Sequence, residues 1–178
     1  DLEAGIGVEK VVLHPAYLTG LIAFTPDIGR GYMLESLERA LEKASGSGLT
    51  LCLENMFPRV GHMYRPDEFT EVLREHPRLM MTLDLGHASI RSPKGQIAAF
   101  VKVAEGRIGH VHVCDNSGKE DEHLPVGAGR IDLAGGLAAV KATGYDSTIT
   151  LEVFSPDRSY LAASLSKIRE MWEKANAS

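Results

Sequence analysis

Four residues that can bind a cation or carry a proton stand at the ends of short apolar runs. Glu54 follows 49–53, Asp84 follows 79–83, His112 lies in 108–113 and Glu152 follows 148–151. Apolar runs of strand length that finish on such side chains read as core strands delivering groups to a site at their C-terminal ends. Three carboxylates aimed into one pocket repel one another, and a divalent cation is the simplest way to make that arrangement tolerable. Oxygen-rich ligation with one imidazole suits Mn2+, Mg2+ or Co2+ better than a structural zinc site does. The plainer reading, helix caps or loop acids in salt bridges, explains any one of these residues and must be invoked four times to explain the set.

Around the four lie further groups with chemistry. The stretch 108–132 is the densest, with His110, His112, Asp115, Asp121, Glu122 and His123. His110 and His112 are two apart on a strand, so they share a face, and His110 reads as the one packed beneath its neighbour. His87, three residues past Asp84, and His14, after the first strand, are each placed to reach a substrate or a second metal, or to be ordinary loop residues. His62 and His76 read as solvated or capping. Asp121 and His123 sit in a charge-rich loop that also reads as a mobile turn. Arg130, after Gly-Ala-Gly, offers a cation to a phosphate or carboxylate, and a GxG without a preceding strand is weak evidence for a nucleotide.

These residues need elements to hold them. Strands are expected at 11–13, 49–53, 79–83, 108–113 and 148–151, and helices at 32–44, 68–76, 95–104, 133–143 and 157–174. Residues 16–31 read as a site-lining loop, and Asp67 as a helix cap. Strands alternating with helices imply a parallel sheet with helices outside it. An open doubly wound sheet gathers ligands at its switch point, whereas a barrel turns every strand end toward one mouth. Four strands that each end in a ligand favour the α/β barrel.

With 178 residues, 44% hydrophobic and 24% charged, the chain has the composition of a globular domain, taken as one unit over 1–178. A net charge of -5 and a pI near 5.8 disfavour a nucleic-acid partner. No apolar run approaches the length of a membrane span, and the first residues lack a signal-peptide pattern. Cys52 and Cys114 lie in apolar runs as buried, reduced thiols, which fits a cytoplasmic setting.

The segments VVLHP (11–15), LEN (53–55), LDLGHA (83–88), HVHVCDN (110–116), DEHLPVGAGRID (121–132) and LEVF (151–154) resemble, in order, the xylose-isomerase-like TIM-barrel superfamily. That superfamily includes sugar isomerases and epimerases as well as the endonuclease IV type of AP endonuclease. The resemblance implies a (β/α)8 TIM barrel in which Glu54, Asp84, His112 and Glu152 bind one divalent metal ion (Mn2+, Mg2+, Co2+ or Zn2+). Glu54 and Glu152 would be the acid/base pair of a sugar or sugar phosphate isomerase/epimerase working through a metal-stabilised enediolate. His14, His87, His123 and Arg130 would contact the substrate. In the endonuclease branch His14, His87, Asp121 and His123 match positions that hold additional zinc ions. DEH in place of DRH, LDLGH in place of a CxDTxH pattern, and the acidic chain weigh against that branch. A dehydratase or lyase on the same barrel is a further alternative. A barrel of this family has eight strands and about 250 residues, whereas five strands are legible. The expectation is therefore the C-terminal part of a longer barrel, incomplete at its N-terminus, with closure by a second copy as the alternative.

Overall fold

The computed structural model describes residues 7–15 and 25–175. Within them lie five strands: β1 (Lys10–Leu13), β2 (Thr50–Glu54), β3 (Met80–Asp84), β4 (Ile108–Val113) and β5 (Ile149–Leu151). Five helices alternate with them: α1 (Pro26–Gly46), α2 (Pro66–Glu75), α3 (Gln96–Val103), α4 (Leu133–Ala142) and α5 (Ser159–Lys174). Every strand pairing is parallel, and spatial order follows chain order from β1 to β5. A doubly wound sheet reverses its order at a switch point, whereas a barrel wall does not, so this is five units of a (β/α) barrel. Curvature gives the same answer. Four inter-strand spacings would set β1 and β5 about 19 Å apart in a flat sheet. Yet Lys10 Nζ on β1 donates to the Gly109 carbonyl of β4 at 3.0 Å and to Ser147 Oγ, just before β5, at 2.7 Å.

Alternation sorts the side chains. Leu51, Leu53, Met81, Leu83, Val111 and Val113 face the helices and join Phe69, Val72, Phe100 and Leu137 in one buried core. Ile108 belongs to that core too, and strict alternation from it would turn His110 and His112 outward with it. A bulge prevents this. The register steps from Met81↔Ile108 to Thr82↔His110, so Gly109 is an extra residue on β4. The inserted residue shifts the phase of everything after it, and both histidines take the concave face. Only glycine fits there, because a Cβ would stand 2.6 Å from Cys52 Sγ and 2.9 Å from Met80 Cβ.

Three local expectations are corrected. The part of the expected loop at 26–31 is the start of α1, because Pro26 takes the first helical turn, where its missing N–H and fixed φ cost nothing. Residues 16–24 of that loop lie outside the described residues. Asp67 is inside α2 rather than its cap; the end is closed by Glu68, whose carboxylate accepts the N–H groups of Met63, Tyr64 and Arg65 at 2.9–3.1 Å. His62 is buried rather than solvated, because residues 56–63 fold back and Met56 N–H donates to the Met63 carbonyl at 2.7 Å. His76 does end α2, as expected. No described helix is long and apolar enough to cross a membrane.

Candidate functional site

The concave face brings the four strand-end residues together. His112 Nδ1 is their meeting point: Glu54 Oε1 lies 3.4 Å from it, Glu152 Oε1 3.3 Å and Asp84 Oδ2 3.8 Å. Glu54 ends β2, Asp84 ends β3, His112 is inward on β4, and Glu152 follows β5 with its N–H on the Val113 carbonyl at 2.9 Å. Glu54 and Asp84 are fully buried.

These separations exceed the roughly 2.7–2.9 Å of a good charge-assisted hydrogen bond. The two glutamate separations match neighbouring ligand atoms around a cation held at about 2.1 Å, which stand roughly 3.0–3.5 Å apart, and Asp84 lies slightly farther out. Both oxygens of Glu54, Oδ2 of Asp84 and Nδ1 of His112 are buried without a hydrogen-bond partner. Unsatisfied buried polar atoms are costly, and three of them, Glu54 Oε1, Asp84 Oδ2 and His112 Nδ1, facing one another fit a divalent cation there. One ligand atom each from Asp84, His112 and Glu152, and from Glu54, Asp84 and His87, lie within 4.8 Å of one another.

The electrostatics without a cation show the same tension. Burial would raise the Glu54 carboxyl, but the imidazoles of His112, His14 and His87 beside it outweigh this and hold it far below the usual range. Asp84 has fewer such partners: burial and the Glu54 charge push it up to about 6 against the pull of His87. Burial lowers His87, and the charge of Asp84, the hydrogen bond to Asp121 and the nearby Glu54 carboxylate override it, pushing the imidazole up to about 11. A proton on His87 thus offsets part of the carboxylate charge.

His87 is central. Its Nδ1 lies 2.9 Å from the Asn55 carbonyl and 3.2 Å from Glu54 Oε1; its Nε2 is 3.4 Å from Asp121 Oδ2. His123 Nε2 reaches the same Asp121 oxygen at 3.3 Å, and its Nδ1 lies 3.1 Å from the Glu152 carbonyl. The exposed ring of His14 touches Glu54 Oε2 at 3.1 Å. His110 packs beneath His112, ring centroids 5.0 Å apart and edge-on, with its nitrogens on the hydroxyls of Thr148 and Thr150. Arg130 is not brought to this group. It is exposed and lines a cleft with Ser89, Lys94 and Gln96 near the start of α3.

Three buried residues with no role assigned from sequence align the rest. Asn55 Oδ1 accepts the Asp84 N–H at 2.8 Å while its Nδ2 donates to the Asp84 carbonyl at 3.0 Å, a side chain acting as one more rung of the β2–β3 ladder. Asn116 Nδ2 donates to the Gly86 carbonyl at 3.0 Å, so the turn after β3 is clamped from both neighbours. Asp115 accepts the N–H groups of Asn116, Gly127 and Ile131 and thereby folds the loop that carries Asp121 and His123. The signal was an Asn directly after an acidic residue at or just past a strand end, in Glu54-Asn55 and Asp115-Asn116.

Sequential parallel strands curving round a concave face, with a carboxylate-rich cluster at their C-terminal ends, define the class: an α/β-barrel protein with its site at the mouth. Residues 2–173 match the xylose isomerase-like TIM barrel family, and the chain belongs to it. It is 34% identical over 157 residues to an uncharacterised protein of Methanocaldococcus jannaschii, covering 81% of this chain and 50% of that one. It is 27% identical over 142 residues to L-ribulose-5-phosphate 3-epimerase of Escherichia coli, covering 79% of this chain and 49% of the relative. A solved D-tagatose 3-epimerase-like protein superposes with a TM-score of 0.86 at 29% identity, over 98% of this chain and 66% of that one. The chain thus spans about half the length of the curated relatives it matches.

Proposed function

We propose that the protein carrying this chain is a divalent-metal-dependent sugar isomerase or epimerase, acting on a ketose or ketose phosphate by moving a carbon-bound proton. The observation that carries the reading is the pair of glutamates flanking one point, Glu54 Oε1 and Glu152 Oε1 at 3.4 and 3.3 Å from His112 Nδ1. Two carboxylates on different strands address a substrate from two sides, as inversion at carbon requires. Glu54 takes the proton on one side and Glu152 returns one on the other. Asp84 and His112 complete the cation's ligands, and a cation held by the four supplies the Lewis acidity that stabilises the oxyanion formed beside the reacting carbon. His14, His87 and His123 are placed to hold substrate hydroxyls. The names of the epimerase relatives support the substrate class.

A second reading, phosphodiester hydrolysis by a zinc cluster, is favoured by one observation: Asp121 Oδ2 between His87 Nε2 and His123 Nε2. One side-by-side assay separates the two. Ketoses and their phosphates are incubated in D2O and read for deuterium at carbon, beside cleavage of an abasic-site duplex. Exchange without cleavage is expected; cleavage without exchange reverses the order of the readings.

A further inference from the structure

The loop that carries Asp121 and His123 is fastened at its neck and on both sides. The neck is closed where Asp115 and Leu124 exchange backbone hydrogen bonds at 3.0 and 2.8 Å. Toward β5, the His123 carbonyl accepts the Phe154 N–H at 3.1 Å, and the two rings stack with centroids 4.2 Å apart. Toward β3, the tip is gripped by Arg91, in the turn that begins at His87.

Arg91 holds three consecutive residues. Its N–H donates to the Gly118 carbonyl at 2.9 Å, its Nε donates to the Lys119 carbonyl at 3.0 Å, and its Nη2 pairs with Glu120 Oε1. Its backbone lies in the left-handed region, at φ 49°, where a side chain is strained and glycine is not. A glycine there would keep the N–H bond and lose the other two, so the strain accompanies the guanidinium contacts. Strained non-glycine residues of this kind cluster at functional sites. The ion pair alone explains little, because both side chains are more than half exposed and such pairs contribute weakly. The planar fork, taking a carbonyl and a carboxylate of adjacent residues, is what other cations do not reproduce.

Just past the gripped tip, Asp121 Oδ2 stands 3.4 Å from His87 Nε2 and 3.3 Å from His123 Nε2. We propose that Arg91 is a positioning residue of the site: by holding the tip of loop 116–123 against the turn after β3, it keeps Asp121 and His123 facing His87 for substrate binding. Arg91 itself touches no reacting group and acts through those two side chains. Its hold on the loop stands on the contacts alone; its effect on substrate rests on the sugar isomerase or epimerase reading of the site.

The test is Arg91→Gly, which relieves the strained φ and removes the guanidinium while sparing the N–H. The urea midpoint should be equal or higher. The amides of Ser117, bonded to Glu122 Oε2 at 2.7 Å, and of Gly118, bonded to Asn116 Oδ1 at 2.8 Å, should exchange with D2O about tenfold faster, with the β4 amides unchanged. For the ketose or ketose phosphate whose carbon-bound proton exchanges fastest, KM should rise about tenfold and kcat should stay within about threefold. In an Asp121→Asn, His123→Gln background the same change should add less than about twofold to KM. Unchanged exchange at Ser117 and Gly118 overturns the hold on the loop. An unchanged KM beside faster exchange, a full effect in the double background, or a lowered urea midpoint with kcat and KM both damaged overturns the positioning role. An unaltered protein inactive on every ketose overturns the sugar reading instead, and the amide exchange then decides the proposal by itself.

Discussion

Asp84 has no exposed surface; one carboxylate oxygen accepts the His87 N–H at 2.7 Å and the other has no partner. Its carboxyl is pushed up to about 6 from an ordinary value of 3.8. Because the folded value is raised, the stability Asp84 contributes to the cation-free protein is fully present below about 3.8 and is lost as pH rises through about 6. Glu54 is displaced the opposite way, so its contribution is lost only as pH falls below its ordinary 4.5. A cation at the proposed site would compete with the Asp84 proton. The rise in Tm produced by Mn2+ is therefore expected to be small at pH 5 and to grow through pH 6 to pH 7, read by thermal unfolding with and without the ion; equal increments at all three would show that Asp84 is no ligand. At the same scale, Asn55→Ala strips two hydrogen bonds from the buried Asp84 backbone and should cost about 2–4 kcal/mol in denaturant unfolding. Glu54, Asp84, His112 and Glu152 were legible because a charged or imidazole side chain after an apolar run is conspicuous. Asn55 and Asn116 were not, because an amide after a strand is common and only the partner strand shows what it bonds.

At the scale of the element, β4 depends on its bulge. Gly109→Ala drives a methyl group into Cys52 Sγ and Met80, at 2.6 and 2.9 Å. It should cost about 1–3 kcal/mol and weaken cation binding by turning His112. Gly46 near the end of α1 has nothing within 4 Å of a built Cβ, so Gly46→Ala should be neutral or stabilising by up to about 1 kcal/mol. Urea midpoints for the two variants make the comparison, and equal shifts would remove the bulge from the account. The strands were read from sequence to within one or two residues, and the shared face of His110 and His112 was read correctly. The bulge itself was invisible, because a glycine in an apolar run carries no mark of which face it opens. The beginning of α1 was missed because prolines and glycines signal loops, and a proline in a first helical turn looks the same.

Over the described residues, strand order and curvature turn residues far apart in the chain to one point, and β2 to β5 each supply one candidate ligand to a cluster that no segment contains alone. The barrel was legible because the ligands recur at the ends of successive strands, and the sequential order β1 to β5 agrees with it. Arg130 shows the limit of that reasoning: it is close in sequence to Asp121 and His123, yet its exposed side chain lines a cleft with Lys94 and Gln96 rather than joining the cluster. On the proposed reading, in which Glu54, Asp84, His112 and Glu152 hold one ion, chelation should loosen β2 to β5 as a unit. At a thousandfold excess over Kd the ion should add about 4 kcal/mol, seen as a single cooperative transition that moves down on chelation. A transition that did not respond would mean that the cluster is satisfied without metal.

The most direct test of the four-strand site is equilibrium binding of Mn2+ to the full chain near neutral pH, with Glu54→Gln, Asp84→Asn, His112→Gln, Glu152→Gln and Arg130→Gln measured beside it. One tight ion is expected, weakened tenfold or more by each of the first four changes and unaltered by the last. Binding that survives those four changes, or that Arg130→Gln weakens as much, would contradict it.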